Sequence, residues 1–301
     1  MADSSTSSEQ RDVLFDKRAD GVALITLNRP DSLNAMGGQL MPMLADYLHQ
    51  SMHDRSVRCV VLTGAGRAFC AGGDVKAMRG GGLGASVGGD AVLGVEAPAP
   101  AKPTDDGRPP SPFDLLDPAA NLLRESQLRT SYVLHTMPKP TIAMVNGHAV
   151  GAGLSLALAC DLRIASDKAK FATAFKKVGF SGDFGGSYYL QRLVGMGKAR
   201  ELYFLGETVE ADEALRIGLV NRVVAHEKLA DETLALASQL AAGPTAAYAR
   251  MKENMSLGEH ADLRTLLDQE AFYMRLTGLS NDSREAVRAF VEKREPKFAG
   301  N

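Results

Sequence analysis

The chain has 301 residues and a formal net charge of −2, with 45% hydrophobic and 23% charged residues. That is length enough for one large domain with a sizeable core, and the balance is an ordinary globular one. The near-neutral charge argues against a nucleic acid partner held through its phosphates.

No apolar run reaches membrane-spanning length, so no membrane partner is expected. MADSSTSSEQ has no apolar signal segment and reads as a disordered tail over residues 1–10, so a cytoplasmic location is expected. Cys59, Cys70 and Cys160 have neither zinc-ligand spacing nor a disulfide framework and read as reduced core thiols. No HExxH and no acidic cluster points to a metal.

In chain order, residues 13–16 and 22–27 read as two strands joined by a turn at Ala19-Asp20-Gly21. A loop through Asn28-Arg29-Pro30 and Asp31 to Met36 follows. Leu40, Met43, Leu44, Tyr47 and Leu48 then give residues 38–52 the apolar face of a helix. Residues 57–62 form a buried strand, and strand, helix, strand implies a right-handed crossover in a partly parallel sheet.

Residues 80–110 hold eight glycines and five prolines, which break both helical and strand periods, and read as a flexible insertion. A helix is expected over 113–136, closed by Pro138 and Pro140. A strand at 141–145, an almost wholly apolar helix at 152–160 and a strand at 162–165 come next. Helices from 186, over 197–205 and over 211–217 lead to a strand at 219–224. From 226 onward only helices are expected, at 226–242, 244–257, 260–277 and 282–293, with Gly243-Pro244 as a clean break. The pattern is an α/β core over 11–225 followed by a helical part over 226–301.

Two stretches carry chemistry. In each, an apolar strand runs into a small-residue turn: Ala71-Gly72-Gly73 after the first, Val150-Gly151-Ala152-Gly153 after the second. Small residues let a ligand approach the backbone, and a helix beginning there leaves amide N–H groups without acceptors. Two such turns aimed at one point would supply two donors to an oxygen that gains negative charge.

The wording of these turns is specific. Gly66-Arg67-Ala68-Phe69-Cys70-Ala71-Gly72-Gly73-Asp74 closely resembles the first signature of the crotonase superfamily, which includes the enoyl-CoA hydratases and isomerases. Asn146-Gly147-His148-Ala149-Val150-Gly151-Ala152-Gly153 resembles the second. The likeness continues through Gly185-Gly186, Gln191 to Gly195, Ala211 to Ala214, Gly218 to Asn221 and Phe290 to Arg294, nearly the whole chain apart from the tail and the insertion.

The resemblance implies a crotonase-like spiral of β-β-α units with a helical C-terminal region that builds trimers, often paired into hexamers. It implies no tightly bound cofactor: coenzyme A enters as part of a thioester substrate. The oxyanion-hole donors would be the backbone amides of Gly73 and Ala152. Coenzyme contacts would come from Arg29, Ser32, Leu33, Ala35, Ala71 and Gly72, with Met274 and Lys293 from the C-terminal helices, where the ligand of a neighbouring subunit can also be reached.

Hydratases of this family activate water with two glutamates. The matching positions here hold Ser155 and Phe175, and neither works as an acid or base near neutral pH. The remaining acid is Asp183, where isomerase branches carry an aspartate. Among Phe175, Phe180 and Phe184 its carboxylate would lose hydration and its pKa should rise, which suits a group that takes a proton from one carbon and returns it to another. A helix N-cap role for Asp183, or a covalent nucleophile as in the aryl-CoA dehalogenase branch, are the alternatives. The expected reaction is migration of a 3-enoyl-CoA double bond to the 2-position. Hydration by other means, isomerisation of an aryl-acetyl-CoA epoxide or ring, and acyl-CoA binding without turnover stand behind it.

Overall fold

The computed structural model describes residues 11–74 and 118–301. The tail over 1–10 and the insertion over 80–110 lie outside the described residues.

Two sheets and the helices between them form the core. The larger sheet runs in the order β1 (Val13–Lys17), β2 (Val22–Leu27), β3 (Cys59–Gly64), β5 (Thr141–Val145), β7 (Leu162–Ser166), β10 (Arg222–Val224). Only the β1–β2 pair is antiparallel; from β2 to β10 neighbours are parallel. Parallel strands covered on both faces carry no polar alternation, and every residue of β3 and of β5 is buried. The smaller sheet, β4 (Ala68–Cys70), β6 (His148–Val150), β8 (Lys170–Ala172) and β9 (Val209–Glu210), lies beside it.

Strands β3 and β4, β5 and β6, and β7 and β8 are successive pairs, each sending one strand to either sheet. This repeat makes the spiral of β-β-α units. Sequence periodicity misses β4, β6, β8 and β9 because two or three residues complete no recognisable alternation.

Helix α1 (Leu40–His53) buries Leu40, Met41, Leu44 and Leu48. The single helix expected over 113–136 is, within the described part, two: α2 (Pro118–Arg129) and α3 (Ser131–Thr136). The break is at Thr130, whose φ of −124° and ψ of −82° leave the helical region. Its hydroxyl donates back to Ser126 O at 2.6 Å, the local bonding by which threonine competes with the helix. Helix α4 (Ala152–Ala159) is buried at all eight positions, as an all-apolar helix must be. Helices α5 (Gly186–Val194), α6 (Met196–Leu205) and α7 (Ala211–Arg216) complete this part. Beyond β10 the chain is helical, with α8 (Leu229–Ala241), α9 (Thr245–Gly258), α10 (Leu263–Gly278) and α11 (Asn281–Glu292).

Candidate active site

The ends of β4 and β6 bring the two small-residue turns together. Gly72 has φ +89°, and a Cβ there would meet Val150 O at 2.8 Å and Ala152 N at 3.5 Å. Only glycine permits that approach of one turn to the other. Gly73 and Ala152 both face a cavity of about 250 Å³. Ala152 opens α4, so its N–H lies among those that receive no acceptor from within the helix. Among the described residues, neither the Gly73 nor the Ala152 amide donates to a protein acceptor. Two unspent donors on one cavity wall are the arrangement that stabilises an oxygen gaining charge.

Another part of the wall comes from the segment between β8 and α5. Phe175, Phe180, Asp183 and Phe184 line the cavity together, with Ala71 and Gly72 on the donor side. Tyr203 of α6 stacks behind Phe175, ring centroids 5.9 Å apart and planes 12° from parallel. Phe184 is fully buried, while Phe180 sits at the rim, 38% exposed.

Asp183 is the one carboxylate on this wall among the described residues. Its Oδ1 is buried without a hydrogen-bond partner among the described residues. The N-cap of α5 is Gly185, with no side chain bonded into the helix end, so the capping alternative is not realised; only the backbone carbonyl of Asp183 accepts, from Gly186 N at 3.1 Å. Burial pushes the Asp183 carboxyl up from 3.8 to about 6, since removal from water disfavours the charged form. Burial, with the Asp183 charge adding to it, pushes the Tyr203 hydroxyl up to about 12. Cys70, beneath the first turn, is held as a thiol by burial, up to about 12.

The other anticipated residues fall in three places. Ser155 is only 1% exposed and is not on the cavity wall. Its hydroxyl donates to Gly151 O at 3.3 Å and packs behind the Asp183 turn, 2.4 Å from where a Cβ on Gly186 would be. The loop with Arg29, Ser32, Leu33 and Ala35 lies along the first turn: Leu33 O accepts from Ala71 N at 3.0 Å, and Gly72 O accepts from Met36 N at 2.8 Å. Met274, on α10, is 77% exposed and borders a separate groove between α9 and α10. Lys293 follows α11 with φ +55°. Neither touches the cavity within one chain.

Sequence reasoning missed Lys177, Met36 and Leu123 as wall residues. Lys177 lies two residues beyond Phe175, inside a segment already marked for chemistry. Leu123 comes from a helix whose placement no local pattern discloses.

A profile of the enoyl-CoA hydratase/isomerase family matches residues 17–89 and 118–301. The chain belongs to that family. It is 39% identical over 280 residues to the 1,2-epoxyphenylacetyl-CoA isomerase of Escherichia coli strain K12, covering 93% of this chain and 95% of that one. It is 33% identical over 288 residues to the short-chain-enoyl-CoA hydratase of Clostridium acetobutylicum, covering 95% and 97%. A solved enoyl-CoA hydratase from Bacillus anthracis superposes with a TM-score of 0.80 at 30% identity, covering 97% of this chain and all of that one. At the level of the family, then, this is an enoyl-CoA hydratase/isomerase-type enzyme of coenzyme A thioesters.

Proposed function

We propose that the enzyme moves the double bond of a 3-enoyl-CoA to the 2-position, with Asp183 as the proton carrier. The thioester carbonyl oxygen binds the Gly73 and Ala152 amides. Asp183, ionised, takes a proton from C2, and the electron pair of that C–H bond passes into an enolate whose charge the two amides hold. The same carboxyl returns its proton to C4. The double bond then lies between C2 and C3, and atoms and charge balance.

One observation carries this reading: among the described residues, Asp183 is the one carboxylate lining the cavity that Gly73 and Ala152 also line, and its buried Oδ1 has no hydrogen-bond partner. An acid near 6 is poised to accept and return a proton close to neutral pH. Water activation of the two-glutamate kind has no support at Ser155, which is off the wall, or at Phe175, which has no proton to exchange.

Turnover of 3-enoyl-CoA in deuterated water tests it. The expected result is 2-enoyl-CoA with exchange at C2 or C4, lost with Asp183→Asn. Conversion of 2-enoyl-CoA to 3-hydroxyacyl-CoA that survives the substitution would sink it. A second reading, isomerisation of an aryl-acetyl-CoA epoxide or ring, is favoured by Phe175, Phe180 and Phe184 around Asp183 and by the likeness to 1,2-epoxyphenylacetyl-CoA isomerase. It uses the same donors with a different acyl group.

The C-terminal helices leave Phe272, Met274, Val287, Phe290 and Val291 more than half exposed, and exposed apolar surface of this kind marks interaction sites. This supports a homotrimer or a hexamer of two trimers. Light scattering on eluting protein should give three or six chains, and a monomer would refute it.

A further inference from the structure

The Arg29 guanidinium, a coenzyme contact in the family resemblance, is bonded within this chain. Nη1 donates to Ala35 O at 2.7 Å. Nη2 lies 3.7 Å from Asp74 Oδ2, and Nε 3.9 Å from Asp12 Oδ2. The three side chains are only 19 to 26% exposed. Asp12 Oδ2 also accepts from Gln39 N at 2.8 Å, at the start of α1. The packing has no slack: a Cβ on Gly37 would fall 2.8 Å from Arg29 Nη1 and 3.2 Å from Asp74 Oδ2.

The bonds continue from Arg29 to the cavity. Ala35 O, which accepts from the guanidinium, shares a peptide group with Met36 N–H. Met36 N donates to Gly72 O at 2.8 Å. Gly72 O shares the next peptide group with Gly73 N–H, the first proposed donor. In a trans peptide the carbonyl and the N–H lie in one plane and point oppositely. Fixing each carbonyl therefore fixes the direction of the following N–H. Asp74 N donates to Met36 O at 3.3 Å, closing the strand bridge around Gly73.

We propose that Arg29 is a positioning residue for the oxyanion hole: through the 35–36 and 72–73 peptide groups it aims and polarises the Gly73 amide. Asp74 and Asp12 hold the guanidinium in place. A cation at the head of a hydrogen-bonded peptide chain strengthens every donor along it, so the Gly73 N–H is a better donor than an ordinary amide. The coenzyme phosphates are then met by other cations. The inference rests on the Gly73 donor assignment made above and not on which carbon Asp183 deprotonates.

The test reads the thioester carbonyl directly. Butyryl-CoA labelled with carbon-13 at the carbonyl is bound to the full-length protein and its infrared stretch recorded. The unmodified protein should lower that stretch relative to free thioester. Arg29→Met should remove a large part of the lowering, and Arg29→Lys, which keeps the charge without the planar fork, should remove less. With 3-enoyl thioesters, kcat should fall about 10- to 100-fold in Arg29→Met, equally for the coenzyme A ester and for the pantetheine ester that lacks the nucleotide.

An undiminished carbonyl shift, with a loss confined to KM and to the coenzyme A ester, would overturn the proposal and make Arg29 a phosphate ligand. Should Arg29→Met fail to fold, Asp74→Asn leaves Arg29 and its Ala35 bond intact; a smaller loss of the same shift is expected, and no change overturns the proposal. A lowered carbonyl stretch in an unmodified protein that moves no double bond would overturn the isomerase reading while supporting this one. No lowering at all would overturn the hole itself and this inference with it.

Discussion

Two aspartates, twenty-two positions apart, meet very different fates in this fold. Asp161, just past α4, accepts at a single oxygen from Thr141 N at 2.8 Å and from Lys252 Nζ at 2.8 Å, with the Thr141 hydroxyl at 3.0 Å. Lys252 donates as well to Leu134 O at 3.1 Å. That carboxylate ties α9 to β5 and α3, and its charge is answered locally. Asp183 has a buried oxygen with no hydrogen-bond partner among the described residues. A carboxylate bonded into the fold is a structural joint; one with a buried, unbonded oxygen on a cavity wall carries a desolvation cost, and such groups cluster at functional sites.

Exchanging each for asparagine should separate the two roles. Asp183→Asn keeps the shape and removes the base, so turnover should fall about 100- to 10,000-fold; retention of activity in a steady-state assay would equate the two residues. Asp161→Asn should cost about 2–4 kcal/mol of stability, because Lys252, with its side chain 11% exposed, is left without its counter-charge. Chemical denaturation measures this, and an unchanged midpoint would show the joint to be dispensable.

The smallest effect has the opposite sign. A carboxyl that titrates near 6 in the fold and near 3.8 unfolded binds its proton more tightly when native. Its stabilising protonation is complete below about pH 4 and lost as pH rises through 6, a cost of at most about 3 kcal/mol above that. Asp183→Asn should therefore melt higher than the unmodified protein at pH 8, by about 1–3 kcal/mol, and gain nothing at pH 4. Thermal melts at the two pH values check it; an equal change at both would mean that Asp183 bears no burial cost.

The two small-residue turns that line the cavity were legible because they are written in consecutive small residues, as were the long helices with 3- and 4-spaced apolar faces. Asp183 was legible as an acid among phenylalanines, and the rise in its pKa follows from that setting. The second sheet was not, since its strands are too short to show a period. Thr130 hides a helix break because threonine also occurs inside helices. Ser155 stands at a family glutamate position, but a motif does not say which face of α4 the side chain takes. The partners of Arg29, which are Asp12, Ala35 and Asp74, were not legible because only the loop's fold over the first turn brings them to it.

The pH dependence of kcat/KM for a 3-enoyl-CoA tests most directly the claim that the unanswered carboxylate is the working base. An ascending limb near pH 6 is predicted, where Asp183 loses its proton, and the residual activity of Asp183→Asn should lack it. A limb that persists in the substituted protein, or a profile flat from pH 5 to pH 8 in the unmodified one, would contradict the account.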